Sequence, residues 1–231
     1  ICVTAAMEIG TGMLPFTKKF PDRYIDVGIA EEHAVTYSAG LSASGFKPVV
    51  PIYSTFLQRA YDHIIHDSLL QKLPIVYCMD RAGLVGPDGP THHGVFDIAF
   101  MLSLPGMIVT APKDGNELRN LMATALDISN NFSIRYPKDK CGFDLKLEPV
   151  LLEIGKWEIL HNGTDVAILA VGSMVGMIMD NKQALYKELG YLPTIVNARF
   201  IKPLDSEMLV SLCKSYESII TIEEGTLVGG F

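Results

Sequence analysis

The run Asp80-Arg81-Ala82-Gly83-Leu84-Val85-Gly86-Pro87-Asp88-Gly89-Pro90-Thr91-His92-His93-Gly94 gathers a guanidinium, carboxylates and two imidazoles in one glycine-rich stretch. Glycine tolerates positive φ and close backbone approach, so such a loop can fold around something small. An acid, a base and a cation converging there suit chemistry on a small polar molecule, above all an anion. The stretch directly follows an apolar run, residues 73–79, that reads as a buried strand. Ligands of open α/β sheets bind at the carboxyl ends of such strands.

Other groups could join it. Glu31 and Glu32 stand after the strand-like residues 24–27 and Gly28. Acids are common in a first helical turn, where they complement the dipole. A chemical role needs one of them turned into the sheet and desolvated, and the apolar neighbours Gly28, Ile29 and Ala30 fit Glu31 inside and Glu32 outside. Within Tyr53-Ser54-Thr55-Phe56-Leu57-Gln58-Arg59 a strand ends and a helix begins. Ser54 or Thr55 is expected to cap that helix. Phe56 and Arg59, three apart, share a helix face; together they suit a flat heterocycle, and separately a core aromatic and a solvated cation. His63 and His66 form no metal motif, because a third ligand and its supporting contacts are missing. Gly10-Thr11-Gly12 lacks the third glycine of a dinucleotide fingerprint, and no phosphate loop of the GxxxxGK type occurs. Arg135 closes another strand-like run; if strand ends converge, it joins Arg81 as a phosphate clamp.

These groups need a scaffold, and the alternation of runs supplies one. Strand-length apolar segments at residues 1–5, 24–27, 48–52, 74–79, 107–110 and 132–136 alternate with helical patterns near 31–44, 55–72, 96–102 and 115–126. This β-α repetition predicts a parallel sheet covered on both faces. Residues 1–140 are expected to form one domain and 141–150 a linker. Residues 151–231 begin a second α/β unit, with a hairpin turn at Asn162-Gly163. Strands follow at 165–171, 194–198 and 218–222, with helices at 173–189 and 205–215, the latter capped by Asp205. Both ends fall close to strand-like runs, so the sequence is expected to be a fragment of a longer protein. A net charge of -7 argues against a nucleic-acid partner. Four scattered cysteines without a CxxC pair fit a reducing compartment and neither a zinc ribbon nor a disulfide framework. No apolar run reaches the roughly 18 residues of a membrane helix, and no signal peptide is expected.

Val27-Gly28-Ile29-Ala30-Glu31-Glu32-His33-Ala34, Tyr53 through Asp62 and the loop of residues 80–94 together resemble the 1-deoxy-D-xylulose-5-phosphate synthase family. Arg135-Tyr136-Pro137, Arg199-Phe200-Ile201-Lys202-Pro203-Leu204-Asp205 and Glu223-Glu224 extend the likeness over essentially the whole chain. The resemblance implies an α/β protein of two parallel-sheet-containing domains with helices on both faces. These would be a transketolase-like pyrimidine-binding domain and a truncated transketolase C-terminal-like domain. It implies a thiamine-diphosphate-dependent transferase that joins pyruvate, with loss of CO₂, to D-glyceraldehyde 3-phosphate. The product feeds isoprenoid, thiamine and pyridoxal synthesis. The full enzyme would be a cytoplasmic homodimer (plastidic in a plant-type source). Mg²⁺ and the cofactor diphosphate would be held by an N-terminal domain outside this sequence, so no metal ligand is expected here and the chain alone is expected to be inactive.

Position by position, Glu31 resembles the carboxylate that hydrogen-bonds N1′ of the aminopyrimidine, and a desolvated carboxyl can share a proton with a ring nitrogen. Phe56 resembles the aromatic stacked on that ring, with Arg59 beside it. Tyr53, Arg81, Asp88, His92 and Arg135 resemble the surroundings of the sugar-phosphate acceptor, with Arg81 and Arg135 nearest the phosphate. Glu31 and His92 are the implied catalytic pair. Lys138 stands where the family often has arginine. His93 replaces a frequent glutamine and receives no role. Two other classes stay open: a β-type subunit of a thiamine-diphosphate-dependent 2-oxo-acid dehydrogenase, against which the glycine loop argues, and a non-catalytic dimerisation module, against which Glu31, Phe56, Asp88 and His92 argue.

Overall fold

Apolar runs flanked by turn residues become strands buried on both faces, as in β4, where all five residues are buried. The computed structural model describes residues 1–231. Its first part contains β1 (Cys2–Thr4), α1 (Leu14–Lys19), β2 (Tyr24–Asp26), α2 (Glu31–Ala43) and β3 (Val49–Tyr53). A broken helix follows: α3 (Ser54–Leu57), a 3₁₀ turn, α4 (Tyr61–His63) and a π-helical stretch, Ile64–Leu69. Then come β4 (Val76–Asp80), α5 (Asp97–Leu102), β5 (Ile108–Thr110), α6 (Gly115–Asp127) and β6 (Phe132–Arg135). The second part has β7 (Glu158–His161), β8 (Val166–Ala170), α7 (Met174–Asp180), α8 (Lys182–Leu189), β9 (Thr194–Asn197), β10 (Phe200–Lys202), α9 (Ser206–Ser215) and β11 (Ser218–Ile222).

Six strands pair in parallel in the order β5-β6-β4-β3-β1-β2. The seventh member of that sheet is β10, which leaves the second part of the chain and pairs antiparallel with β5. Residues 200–202 are too short a run to read as a strand in isolation. Burial decides it: Phe200 is inaccessible, its carbonyl accepts from Trp157 Nε1 at 2.8 Å, and Lys202 Nζ donates to the carbonyls of Leu102 and Leu104. One continuous apolar core therefore takes in Val109, Phe132, Trp157, Leu169 and Phe200. A buried carboxylate stitches the same junction, since Glu117 accepts from Lys113 N, Asn197 Nδ2 and Arg199 Nη1.

Two expectations are corrected in the second sheet, whose order is β11-β8-β9-β7. The Asn162-Gly163 turn is not a hairpin, because β7 pairs antiparallel with β9 and β9 lies between β7 and β8. Gly163 is needed there for close approach: a Cβ would lie 2.0 Å from the Leu192 carbonyl oxygen. The helix expected over residues 173–189 divides at Asn181, whose Nδ2 donates back to the Met177 carbonyl. A short amide that bonds its own backbone competes with the helical ladder. The cap of α9 is Asp205, which accepts from Met208 N.

Candidate active site

Strands β3 and β4 pair with Tyr53 opposite Asp80, so the turn into α3 and the start of the glycine loop leave the sheet side by side. Arg81 follows at φ +61, a left-handed conformation uncommon for a residue with a side chain. Such strain persists where surrounding contacts over-determine it. Here they do: Arg81 donates to the Gly10 carbonyl at 2.9 Å, to Asp80 at 3.2 Å and to Asp88 at 3.1 Å. Its guanidinium lies 3.8 Å from the Tyr53 ring centre. Tyr53 stacks on Phe56 with centroids 5.7 Å apart, and the His92 ring meets Phe56 edge-on at 5.2 Å.

On the other side of Phe56, Arg59 sits 5.3 Å from the ring centre and reaches both Glu31 oxygens, at 3.3 and 3.4 Å. Glu31 opens α2 with its side chain 2% exposed, whereas Glu32 is half-buried. The fold buries Glu31 as read from the sequence, while Glu32 is partly covered rather than outside. A cleft of about 580 Å³, within the range of small-molecule sites, opens beside these groups; Phe56, Arg59, Leu84, Val95 and Phe96 line it.

The loop itself is tied at its neck. Gly83 and Gly94 exchange two backbone hydrogen bonds of 2.8 and 2.9 Å. Further out, the Val85 amide donates to His93 Nδ1 at 3.1 Å, so that ring carries its proton on Nε2. His93, without a role in the sequence reading, thus closes the loop that holds Asp88 and His92. The acidic partners are tuned in opposite directions. Burial pushes the Asp80 carboxyl up to about 6 against the pull of Arg81. The Lys138 ammonium, with Arg81, holds Asp88 below the ordinary carboxylate range. Burial raises the Tyr53 hydroxyl, opposed by Arg81.

Seven of the eight expected site residues therefore converge: Glu31, Tyr53, Phe56, Arg59, Arg81, Asp88 and His92. Arg135 does not join them. It is 4% exposed, with Nε on the fully buried Asp97 at 3.0 Å and Nη2 on the Glu224 carbonyl at 3.0 Å. Its guanidinium is hydrogen-bonded within the protein, as is that of Arg81, whose side chain is 9% exposed. The Ser54 cap is corrected too, since the helix starts without a side-chain cap and the buried Ser54 hydroxyl has no partner. Asp80 and Lys138 were missed as site members. The signal for Asp80 was an acid ending an otherwise apolar strand, whereas Lys138 lies 50 residues from the Asp88 it meets.

The pyrimidine-binding domain of transketolase matches residues 1–142, and the transketolase C-terminal domain matches residues 155–231. Curated proteins named 1-deoxy-D-xylulose-5-phosphate synthase match along the whole chain. Those of Dictyoglomus thermophilum and Oleidesulfovibrio alaskensis are 54% and 51% identical, and that of Aquifex aeolicus is 50% identical. The chain spans 36–37% of the length of these relatives. Among solved structures, an inactive β4 tetramer of a split-gene transketolase superposes with TM-score 0.86 at 29% identity, covering 100% of this chain and 75% of that one. A Pichia stipitis transketolase variant, at 21% identity and TM-score 0.80, covers 99% of this chain and 36% of that one and shows the shared fold.

Proposed function

This chain belongs to the transketolase family, and from that premise we propose that it supplies the aminopyrimidine-binding and C-terminal portions of a 1-deoxy-D-xylulose-5-phosphate synthase. The reaction is the joining of pyruvate, with loss of CO₂, to D-glyceraldehyde 3-phosphate in a cytoplasmic homodimer. The observation that carries the reading is the buried Glu31 carboxylate beside the Phe56–Arg59 wall of an open cleft. Those residues fit the pyrimidine end of thiamine diphosphate: Phe56 offers a flat apolar face, and Glu31 a desolvated oxygen for a ring nitrogen. The diphosphate and its Mg²⁺ belong to a part of the enzyme outside these residues. When bound, the cofactor supplies the nucleophilic carbon and the electron sink of the reaction.

The chain's own groups then divide the work. Glu31 holds a proton between its carboxylate and the ring nitrogen, while Arg59 fixes the carboxylate from the solvent side. Phe56 and Tyr53 exclude water from one face. Arg81, aimed by Asp80, Asp88 and the Gly10 carbonyl, faces the acceptor with Lys138 as the second local cation, set against an overall charge of -7. His92, packed on Phe56, orients the acceptor aldehyde or moves a proton at its oxygen.

The test is a pair of substitutions in the native protein. Glu31→Gln keeps a hydrogen bond but cannot carry the proton; it should lower the condensation rate on the order of a hundredfold or more. Glu32→Gln should stay near wild type, since adjacent helical residues point about 100° apart. Equal activity of the two variants would remove Glu31 from the site.

A further inference from the structure

The second part of the chain reaches the neck of the glycine loop. After β11, residues 223–231 fold back over the first sheet's loops, and Glu224 makes three contacts there. Its carbonyl accepts from Arg135 Nη2, and its Oε2 accepts from Ser173 Oγ at 2.8 Å. Its side chain fills the space a side chain at position 83 would need: a Cβ built on Gly83 would lie 2.9 Å from Glu224 Cβ and 2.9 Å from Oε2. Two residues later, Thr226 N donates to the Val95 carbonyl at 3.2 Å. Gly83 leads out of the neck and Val95 follows Gly94 back into it, so this strap touches both sides of the closure. The strap is itself anchored, with Glu223 Oε1 accepting from Phe231 N at 3.0 Å and the Phe231 ring edge-on to Trp157 at 5.8 Å.

The loop leaves β4 through two left-handed residues, Arg81 at φ +61 and Gly83 at φ +77, and its neck is closed by the backbone exchange between Gly83 and Gly94. Beyond the neck it consists of two 3₁₀ turns, Gly86–Asp88 and Pro90–His92, which carry Asp88 and His92. A contact at Gly83 therefore sets the direction in which both turns leave the sheet. Neither Ser173 nor Glu224 lines the cleft beside Phe56, so their influence passes through the loop.

We propose that Glu224, oriented by Ser173, is a positioning residue by which the C-terminal domain fixes the neck of the glycine loop and places Asp88 and His92 toward the acceptor. This rests on the reading of that loop as the acceptor side of the site.

Ser173→Ala and Glu224→Ala test it in the native protein, with Glu224→Gln as the conservative control, because an amide oxygen still accepts from Ser173. In the alanine variants kcat/KM for D-glyceraldehyde 3-phosphate should fall about 10- to 100-fold, the scale of a displaced site group. KM for pyruvate should hold within about twofold, as expected for a group that bears on one substrate only. Amide hydrogen exchange of residues 83–94 should accelerate while β4 and β6 keep their protection. Glu224→Gln should restore both readouts. Unchanged exchange and acceptor kinetics in both alanine variants would overturn the proposal. So would equal losses for both substrates, or exchange rising across the whole first sheet, since either marks general support. A wild-type protein without condensing activity, whose alanine variants still loosen residues 83–94, would uphold the neck contact and remove the functional reading instead.

Discussion

Asp80 lends itself to a quantitative test, because it is a buried acid beside the arginine that the site is built on. It ends β4, is 8% exposed, and accepts from Arg81 Nη1 at 3.2 Å. Burial raises its carboxyl from 3.8 to about 6. The folded protein therefore binds this proton more tightly than the unfolded chain does. The associated stability is fully present below about pH 3.8 and is lost as the pH rises through about 6. A gap of about two pH units, at about 1.4 kcal/mol for each, makes the ionised carboxylate cost roughly 3 kcal/mol at neutral pH. Asp80→Asn keeps an Oδ1 acceptor for Arg81 and nearly the same volume, and it removes the titration. Relative to wild type the variant should gain about 2 kcal/mol between roughly pH 4.5 and roughly pH 7.5. Urea unfolding of both proteins across that range, compared at constant m-value, measures the difference. A difference that stays flat with pH, or one that falls as pH rises, would refute the claim that burial dominates at Asp80. A confirmed cost would mark Asp80 as a group kept at the site at the expense of stability, a pattern that accompanies function.

Two further outcomes follow from groups in and beside the loop. His93→Phe leaves the Val85 amide without an acceptor and should cost about 1–3 kcal/mol; His93→Gln, which restores an acceptor oxygen, should recover most of that in denaturant unfolding, and equal stability of the two variants would clear the His93 bond of any role. Arg135→Met strands the fully buried Asp97 without a cation and should cost about 3–5 kcal/mol. Adding Asp97→Asn should return more than half of it, and additive losses in the double variant would show that the two do not form an isolated buried pair.

The scaffold was legible because its signals are local. Strand runs such as residues 75–79 are apolar throughout, since both faces of a parallel strand are covered, and α9 announces itself through Asp205. The proximity of Phe56, Arg59 and Glu31 was legible for the same reason: Phe56 and Arg59 are three residues apart, and Glu31 is placed by the strand and glycine that precede it, whereas their reading as a cofactor side came from the family resemblance. Asp88 and His92 lie within one loop, so their convergence needed only the turns that glycine and proline favour.

What the residues determined by themselves was thus the family of elements, the grouping of Glu31, Phe56 and Arg59 as site candidates, and the chemical types gathered in the loop. Tertiary structure alone decided the rest. Phe200–Lys202 is a strand only because β5 offers an open edge and the core has room for Phe200. Arg135 and Arg81 carry the same charge and leave neighbouring strands, yet Arg135 is drawn into a buried pair by Asp97 and by a carbonyl 89 residues away. Arg81 is held instead between Asp80 and Asp88, at the start of the glycine loop. Side-chain type sets what a residue can bind, but the partners that neutralise a buried charge come from distant segments. Only the folded chain settles which partners each arginine finds.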